Sequence, residues 1–221
     1  MAKRVVPAAI SALALAALLI AQSHRKSAVQ TADAQPFDYY VLSLSWAPEF
    51  CAQQGSAGNS NECAPGGKIG FIVHGLWPEA AAGKSPEFCG TAKPVPKTVV
   101  NYVLSDMLSP TLIQHEWAAH GVCTGLNPFA YFSSIVEVRA SVQIPVQLTS
   151  IGSPTTESPG QIEAQFAMAN STFPGAAFRT SCPRSAFAEE RICFDKSLKP
   201  RACIASVGEC TAPAITILPP S

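Results

Sequence analysis

The chain contains four histidines, and three of them lie in two short motifs. His74 lies in FIVHGLWPE over residues 71–79, whereas His115 and His120 lie in HEWAAHGVC over residues 115–123. Histidine is the side chain whose unperturbed pKa, about 6.5, lets it donate and accept protons near neutral pH. The two motifs therefore predict acid–base chemistry, with His74 and His120 as the proton-transfer pair.

Helical geometry sorts the residues of the second motif. Glu116 and His120 are four residues apart, so they are neighbours on one face of a helix. His115 is five residues from His120 and lies at the edge of that face. A carboxylate beside an imidazole raises the pKa of the histidine and can fix its orientation. The pair is therefore expected to be a catalytic base and its partner.

Three other interpretations of the histidines compete with this one. A zinc hydrolase with the H-E-x-x-H motif needs its two histidines four residues apart, whereas His115 and His120 are five apart. A Cys–His nucleophile needs a free thiol, which an even number of cysteines does not favour. The three histidines could also be ordinary core or surface residues, but two of them lie next to glycine-containing turns.

The eight cysteines are an even number, and no two of them form a C-x-x-C pair. The spacing of a structural zinc site is therefore absent, and in an exported chain this count predicts four disulfides. The connectivity stays open at this point, because eight cysteines allow about 105 pairings.

The N-terminal residues 1–34 have the layout of a secretory signal. Lys3 and Arg4 precede an apolar run from Val5 to Ala21, and small residues follow as far as Ala32-Asp33-Ala34. The apolar run is also long enough for an uncleaved membrane anchor. A cleaved signal predicts a secreted or periplasmic protein without stable membrane association, and residues 35–221 would then form the folded domain.

The charge of that domain restricts how it could bind a polyanion. Residues 1–34 contain four of the 15 basic residues and one of the 15 acidic residues, so the rest of the chain has three more acidic than basic side chains. Nucleic-acid-binding proteins usually have a basic surface. Any binding of nucleic acid must therefore be confined to a local site.

Apolar periodicity and turn residues predict three strands, four helices and the class of fold. The strands are expected at residues 37–46, 68–73 and 188–195, and the helices at residues 99–107, 110–121, 128–140 and 161–170. The strand over residues 68–73 delivers His74 at its end. An order of strands, helices and then strands is typical of a single α+β domain.

The two motifs resemble the active-site segments of the T2-type ribonucleases. HGLWP and HEW carry the resemblance, which extends from FDYYVLSLSWAPEFC through TLIQHEW, CTGL and YF to RICFD and covers roughly residues 37–210. It implies a single domain with a central, mainly antiparallel sheet flanked by helices and stapled by disulfides. It also implies an enzyme that cleaves single-stranded RNA, but not DNA, through a 2′,3′-cyclic phosphate and without a metal or cofactor. We expect this enzyme to be a monomer.

The resemblance implies a role for each matching residue. His120 would be the general base that takes the proton of the ribose 2′-hydroxyl, and His74 the general acid that protonates the departing 5′-oxygen. His115 would bind the scissile phosphate, and Glu116 would stabilise the transition state. In the substrate-binding region, Trp77 would stack on a base that Glu79 contacts, although Trp77 could equally be a core residue. The implied disulfides are Cys51–Cys63, Cys89–Cys123, Cys182–Cys210 and Cys193–Cys203.

One residue departs from the family pattern. The T2-type ribonucleases have a lysine or arginine immediately before the second catalytic histidine, where this chain has Ala119. The loss of that cation leaves open a catalytically weakened member that binds RNA or a protein, and a structural or inhibitory secreted domain is a further alternative. Ala119→Lys is expected to raise activity, unless Lys68 or Lys84 already supplies the charge from a loop.

Overall fold

A computed structural model describes residues 36–54, 63, 68–208 and 210–220. Strand β1 (Tyr39–Trp46) lies at the centre of its sheet, and helix α1 (Ala47–Gln54) follows it directly. The strand is rich in aromatic and branched residues, which favour a pleated and buried surface. The strand predicted at residues 37–46 is therefore confirmed. The proposed signal, residues 1–34, lies outside the described residues.

The main sheet has four strands in the order β2-β1-β5-β4, and every neighbouring pair is antiparallel. Its other strands are β2 (Phe71–Glu79), β4 (Phe178–Ser181) and β5 (Glu189–Asp195). A separate antiparallel pair joins β3 (Thr155–Glu157) to β6 (Ile215–Ile217). The expected α+β class with a mainly antiparallel central sheet is confirmed.

The helices after β2 comprise four that form in the regions that the sequence predicts and one short helix that, like α1, it does not predict. Three of the long ones begin with proline in their first turn. The helices are α2 (Lys97–Met107), α3 (Pro110–Ala119), α4 (Pro128–Ser141), the short α5 (Val146–Thr149) and α6 (Pro159–Ala169). Proline is favoured there because the first turn of a helix has no partner for its N–H groups. Ser109, Asn127 and Ser158 cap α3, α4 and α6 through their side chains.

The two faces of the main sheet have different surroundings. Leu42, Leu44 and Ile192 belong to the large core, which also includes residues of the helices. On the opposite face, Tyr39, Val41 and Cys193 form a second, smaller cluster, with Trp77 packed against it. Side chains alternate between the faces of a strand, so the second face carries the alternate residues of β1, β2 and β5.

The bounds of β2 correct one prediction. His74 was expected at the end of a strand over residues 68–73, whereas the strand begins at Phe71 and continues past His74 to Glu79. Ser43 opposes Gly75 and Leu44 opposes Val73, so His74 is the extra residue of a β-bulge. The apolar run alone could not reveal this, because pairing with β1 extends the strand through Pro78, near the edge of the sheet.

Four disulfides join the pairs that the family resemblance implies: Cys51–Cys63, Cys89–Cys123, Cys182–Cys210 and Cys193–Cys203. The second pair ties the irregular segment after β2 to a 3₁₀ turn (Gly121–Thr124) just beyond α3. Within the described part of the chain, no helix combines the length and the apolar character needed to span a membrane.

Candidate active site

The β-bulge and a glycine bring β2 against helix α3. A β-carbon added to Gly75 would lie 2.0 Å from Oε2 of Glu116 and 2.7 Å from Nε1 of Trp77. Real β-carbons do not approach other atoms so closely, so only glycine permits this contact between strand and helix. The bulge redirects the side chain of His74, a common use of bulges beside active sites.

Glu116 lies at the centre of the site and its side chain is only 1% exposed. Its Oε1 is 3.5 Å from Nε2 of His74, and its Oε2 is 4.0 Å from Nε2 of His120. The indole Nε1 of Trp77 donates a hydrogen bond of 2.9 Å to Oε2. One buried carboxyl group therefore contacts residues from both sequence motifs.

His120 lies just beyond the last residue of α3 instead of within the helix. Its φ of −122° ends the helix, and its N–H still donates to the carbonyl of Glu116. The ring is mostly buried, and its Nδ1 has no hydrogen-bond partner among the described residues. Packing and the nearby carboxyl group of Glu116 thus hold the ring in place.

The other histidine of the pair is held by two residues that the sequence analysis did not single out. Nδ1 of His74 lies 2.7 Å from Oε1 of Glu189 on β5. Arg191, two residues further along the strand, donates from Nε and Nη2 to Oε2 of Glu189 over 3.1 and 3.0 Å. The alternation of AEERICFD places Glu189 and Arg191 on one face, but only the pairing of the strands brings that face to His74.

The surroundings of His74 favour its protonated form. Burial by itself would lower the pKa of His74, but the hydrogen bond to Glu189 and the charges of Glu189 and Glu116 outweigh it, and the pKa is raised. Burial would raise the pKa of Glu189, but His74 and Arg191 together lower it to about 2. Glu189 is therefore ionised and His74 is readily protonated.

The surroundings of His120 act in the opposite direction and correct a second prediction. Glu116 was expected to raise the pKa of His120, whereas burial and the charges of His74 and His115 lower it to about 4. Burial also raises the pKa of Glu116 itself to about 7, despite His74 and the hydrogen bond from Trp77. His120 is therefore neutral over most of the range in which His74 is charged.

Trp77 and Glu79 line a cleft of about 140 Å³, and the ring centre of Trp77 lies 5.2 Å from that of His74 and 5.5 Å from that of His120. Trp77 is half-buried, and the guanidinium carbon of Arg191 lies 5.2 Å from the centre of its ring. Glu79 accepts a hydrogen bond from the hydroxyl of Ser85, and burial raises the pKa of its carboxyl group. This arrangement joins an aromatic surface to polar groups, whereas Trp46 and Trp117 are buried in the large core.

His115 lies on an exposed part of α3, where its ring centre is 6.3 Å from that of Phe88. It is the most exposed of the three histidines, so a substrate can reach its ring from solvent. In the described residues, no group of three or more histidine, cysteine or acidic side chains is arranged to hold a metal ion.

The sequence model of the ribonuclease T2 family matches residues 37–203, which is most of the chain and includes both histidine motifs. The chain belongs to the ribonuclease T2 family. Glu116, the two proton-transfer candidates, Trp77 and Glu79 therefore lie within the matched region.

Members of this family from distant organisms are similar to the chain. A ribonuclease of Aeromonas hydrophila is 33% identical over 124 residues, which cover 56% of this chain and 55% of that protein. A probable ribonuclease of Haemophilus influenzae is 32% identical over 127 residues, covering 52% and 47%. Ribonuclease DdI of Dictyostelium discoideum is 26% identical over 201 residues, covering 83% and 86%. The chain spans about half the length of the two bacterial relatives.

Solved structures of the ribonuclease T2 fold agree with the architecture. An RNase-related protein from Calystegia sepium superposes with a TM-score of 0.68 at 21% identity and covers 85% of this chain and 100% of its own. RNase NT in complex with 5′-AMP superposes with a TM-score of 0.65 at 19% identity, covering 84% and 100%. These likenesses establish the fold.

The position where T2-type ribonucleases have a cation is enclosed in this chain. Ala119 is only 2% exposed, and its carbonyl accepts a hydrogen bond of 2.8 Å from the N–H of Phe88. The positive charge of Arg191 acts on both His74 and Glu79. Its strand lies on the other side of the sheet centre from β2, so the motif alone could not indicate it.

Proposed function

We propose that the protein is a metal-independent endoribonuclease that cleaves single-stranded RNA through a 2′,3′-cyclic phosphate. The observation that carries the proposal is the pair His74 and His120, which share one carboxyl neighbour while their pKa values move in opposite directions. Cleavage by the ribose 2′-hydroxyl needs one neutral base and one protonated acid at the same pH. The two histidines provide that combination, which separate surface histidines would not.

In the proposed first step, His120 takes the proton of the 2′-hydroxyl as its oxygen attacks the adjacent phosphorus. The bond from phosphorus to the 5′-oxygen breaks, and His74 gives its proton to that oxygen. The products are a 2′,3′-cyclic phosphate and a free 5′-hydroxyl, so this step is a lyase reaction. Water then hydrolyses the cyclic phosphate with the two roles exchanged. DNA has no 2′-hydroxyl and would not react.

The phosphate and the base would be held by the remaining residues of the site. Glu116, whose pKa of about 7 leaves a large protonated fraction at mildly acidic pH, could donate a hydrogen bond to a phosphate oxygen. The exposed ring of His115 could bind the same phosphate. A base stacked on Trp77 would gain about 1–3 kcal/mol, because every base has a π-face, and Glu79 would contact its edge.

A second candidate is a weakened enzyme that binds RNA or a protein partner without efficient cleavage. The enclosed Ala119 favours it, because the cation that T2-type ribonucleases have at this position would neutralise developing phosphate charge. The opposite pKa shifts of the two histidines argue against it.

The place of action would be the periplasm or the extracellular space, with the protein acting as a monomer. Residues 1–34 would be a signal peptide, and residues 35–221 the catalytic domain. Four disulfides support this, because disulfides persist in oxidising compartments. Sequencing the N-terminus of the protein recovered from outside the cytoplasm would test the cleavage, and an intact residue 1 would contradict it.

The test uses an RNA oligonucleotide, its 2′-deoxy counterpart and a chelator. We expect the RNA to be cut to products with a 2′,3′-cyclic phosphate, detected by mass spectrometry, at a rate that the chelator leaves unchanged. The deoxy strand should stay intact. His74→Ala and His120→Ala should each lower kcat by about 10²–10⁴-fold, which is the usual contribution of an acid or base.

Two results would contradict the proposal. Products with a 5′-phosphate, or digestion of the deoxy strand, would require a different nucleophile. Intact RNA that nevertheless binds the protein would favour the weakened member. Gln114→Ala is a suitable control for the two histidine variants, because Gln114 lies on α3 but bonds the backbone of Val95.

A further inference from the structure

We propose that Glu189, held in place by Arg191, is a positioning residue for His74 that fixes the hydrogen on Nδ1 and leaves Nε2 to face the reaction. The inference rests on the proposed function, since it assigns a role to the acid of that reaction. It concerns a residue of β5, far in the sequence from both histidine motifs.

The charge of Glu189 fixes the direction of its hydrogen bond with His74. An ionised carboxylate can only accept hydrogen bonds. Since Oε1 of Glu189 is 2.7 Å from Nδ1 of His74, the hydrogen lies on Nδ1. Nε2 is then the atom that loses and regains a proton, and it is the nitrogen near Glu116, at 3.5 Å from Oε1.

The carboxylate of Glu189 has a fixed orientation. Both nitrogens of Arg191 that approach Glu189 bond to Oε2, which leaves Oε1 turned toward His74. The hydroxyl of Ser45 also lies 3.4 Å from Oε1. The two charge-assisted N–H bonds from one guanidinium group converge on the single oxygen Oε2 and restrict its position. Glu189 is therefore aligned on His74 by its own neighbours.

The paired strands of the main sheet are a rigid frame that carries these groups. Ser45 opposes Glu189 and Ser43 opposes Arg191 across the β1–β5 pair, while Ser43 also opposes Gly75 across the β1–β2 pair. The bulged His74 is thus two strands away from Glu189 on the same sheet. Groups that are held on strands keep their geometry more closely than groups on loops.

The charged groups around His74 come from each element packed against it. Glu189 and Arg191 face it from β5, Glu116 faces it from α3, and the ring of His120 follows α3. Burial and the positive charge of Arg191 favour the neutral ring, while the two glutamates favour the charged ring. Glu189 is the group in direct hydrogen-bond contact, so it has the largest share in keeping His74 protonated.

The arrangement keeps the proton balance of both steps of the reaction. In the first step Nε2 of His74 gives its proton to the 5′-oxygen, and the neutral ring keeps the hydrogen on Nδ1 bound to Glu189. In the hydrolysis of the cyclic phosphate, Nε2 accepts a proton from the attacking water. Glu189 gains and loses no proton in either step, and it touches neither substrate nor reacting atoms.

The test compares Glu189→Gln with the matched control Glu163→Gln in the full chain. Glu163 also faces an arginine, Arg179 at 3.7 Å, but lies away from the histidines. Proton NMR can follow His74 separately, because the chain has four histidines in all. In Glu189→Gln the His74 titration should move to lower pH by about one unit or more, since an opposite charge has been removed.

The kinetic readout follows the same change. We expect kcat of Glu189→Gln at neutral pH to fall roughly 10- to 100-fold, part of the contribution of a general acid, with KM nearly unchanged. The loss should shrink as the pH is lowered, because His74 then regains its proton. Glu189→Asp keeps the negative charge, so the pKa of His74 in this variant should lie closer to the wild-type value than in Glu189→Gln. The control should alter neither quantity.

Two outcomes would overturn the inference. One is an unchanged His74 titration in a folded Glu189→Gln protein. The other is a loss of kcat that is equal at every pH, which would indicate a purely structural role. If the wild type cleaves no RNA, the proposed function fails, but the NMR titration still decides whether Glu189 holds His74.

Discussion

His74 and His120 differ in the group that the Nδ1 atom of each ring faces. Nδ1 of His74 faces an ionised carboxylate, Glu189, which stabilises the added proton. His120 has no hydrogen-bond partner at Nδ1 among the described residues and is next to two other histidines. A group that is buried without an opposite charge loses its charged form. The division between acid and base thus follows from the surroundings rather than from the residue type.

This difference predicts the pH dependence of cleavage. Below about pH 4 His120 is protonated and cannot accept the 2′-hydroxyl proton, so kcat should fall on the acid side. Above the raised pKa of His74 the acid has lost its proton, so kcat should fall again. A profile of kcat over about pH 3 to 9 should be bell-shaped. A rate that rises steadily across this range would contradict the assignment of the acid.

The enclosed position of Ala119 changes what its replacement by lysine should do. A longer side chain at a well-packed site costs about 1–3 kcal/mol of unfolding free energy. Residue 119 is one helical turn from His115, so kcat at the optimum should still rise, because the added charge would meet developing negative charge. Urea unfolding and kcat of Ala119→Lys and wild type measure both effects. An unchanged kcat at every pH would indicate that Arg191 already supplies the cation.

At the scale of secondary-structure elements, the site depends on the close contact between β2 and α3. Gly75→Ala should push the carboxyl group of Glu116 and the indole of Trp77 away from their present positions. A displacement of about 1 Å near the chemistry can lower the rate by about 10²-fold. We expect a loss of this order in kcat, with the fold retained by circular dichroism.

Gly160→Ala is the control for that variant. Gly160 lies in the first turn of α6, and a β-carbon there has open space around it. Alanine in a compatible helical position stabilises a protein by about 0.4–1 kcal/mol. This variant should keep full activity with equal or higher stability. If Gly75→Ala behaved in the same way, the contact between β2 and α3 would not matter for catalysis.

The sequence predicts the elements better than it predicts their pairing. Proline marks the starts of α3 and α4, where the predicted helices begin at residues 110 and 128, and the aromatic run marks β1. The bulge at His74 depends on a register between β1 and β2 that no local pattern records. Glu189 lies 115 residues from His74, so its role depends on the order of strands in the sheet.

The family resemblance predicts that His74, Glu116 and His120 lie together, but it does not predict their pKa values. These values depend on how completely the assembled core excludes water around each group. Glu116 is 1% exposed, and β2 packs closely against it at Gly75. A sequence comparison transfers residue types, whereas burial is a property of the whole arrangement.

At the scale of the whole molecule, one face of the sheet serves stability and the other carries the site. The face toward the helices contains the large core, and β5 places Glu190 on that side, 0% exposed. Its Oε2 accepts a hydrogen bond of 2.9 Å from the hydroxyl of Thr180, while Oε1 has no partner among the described residues. Burial raises the pKa of Glu190 well above its usual value. The core therefore contains a carboxyl group that is held in its neutral form.

This neutral carboxyl group predicts that the contribution of Glu190 to the stability of the fold is greatest in acid. A raised pKa in the folded state contributes stability that is complete below the unfolded pKa, about 4.3, and is lost as the pH rises through the folded pKa. In Glu190→Gln that loss should disappear, so the difference in unfolding free energy from the wild type should grow in favour of the variant by up to about 1.4 kcal/mol per pH unit. Urea unfolding at several pH values between about 5 and 8 measures the slope.

Glu137→Gln, at an exposed position of α4, is the control and should keep the slope of the wild type. Parallel curves for wild type and Glu190→Gln would mean that Glu190 is no more protonated in the folded protein than in the unfolded chain.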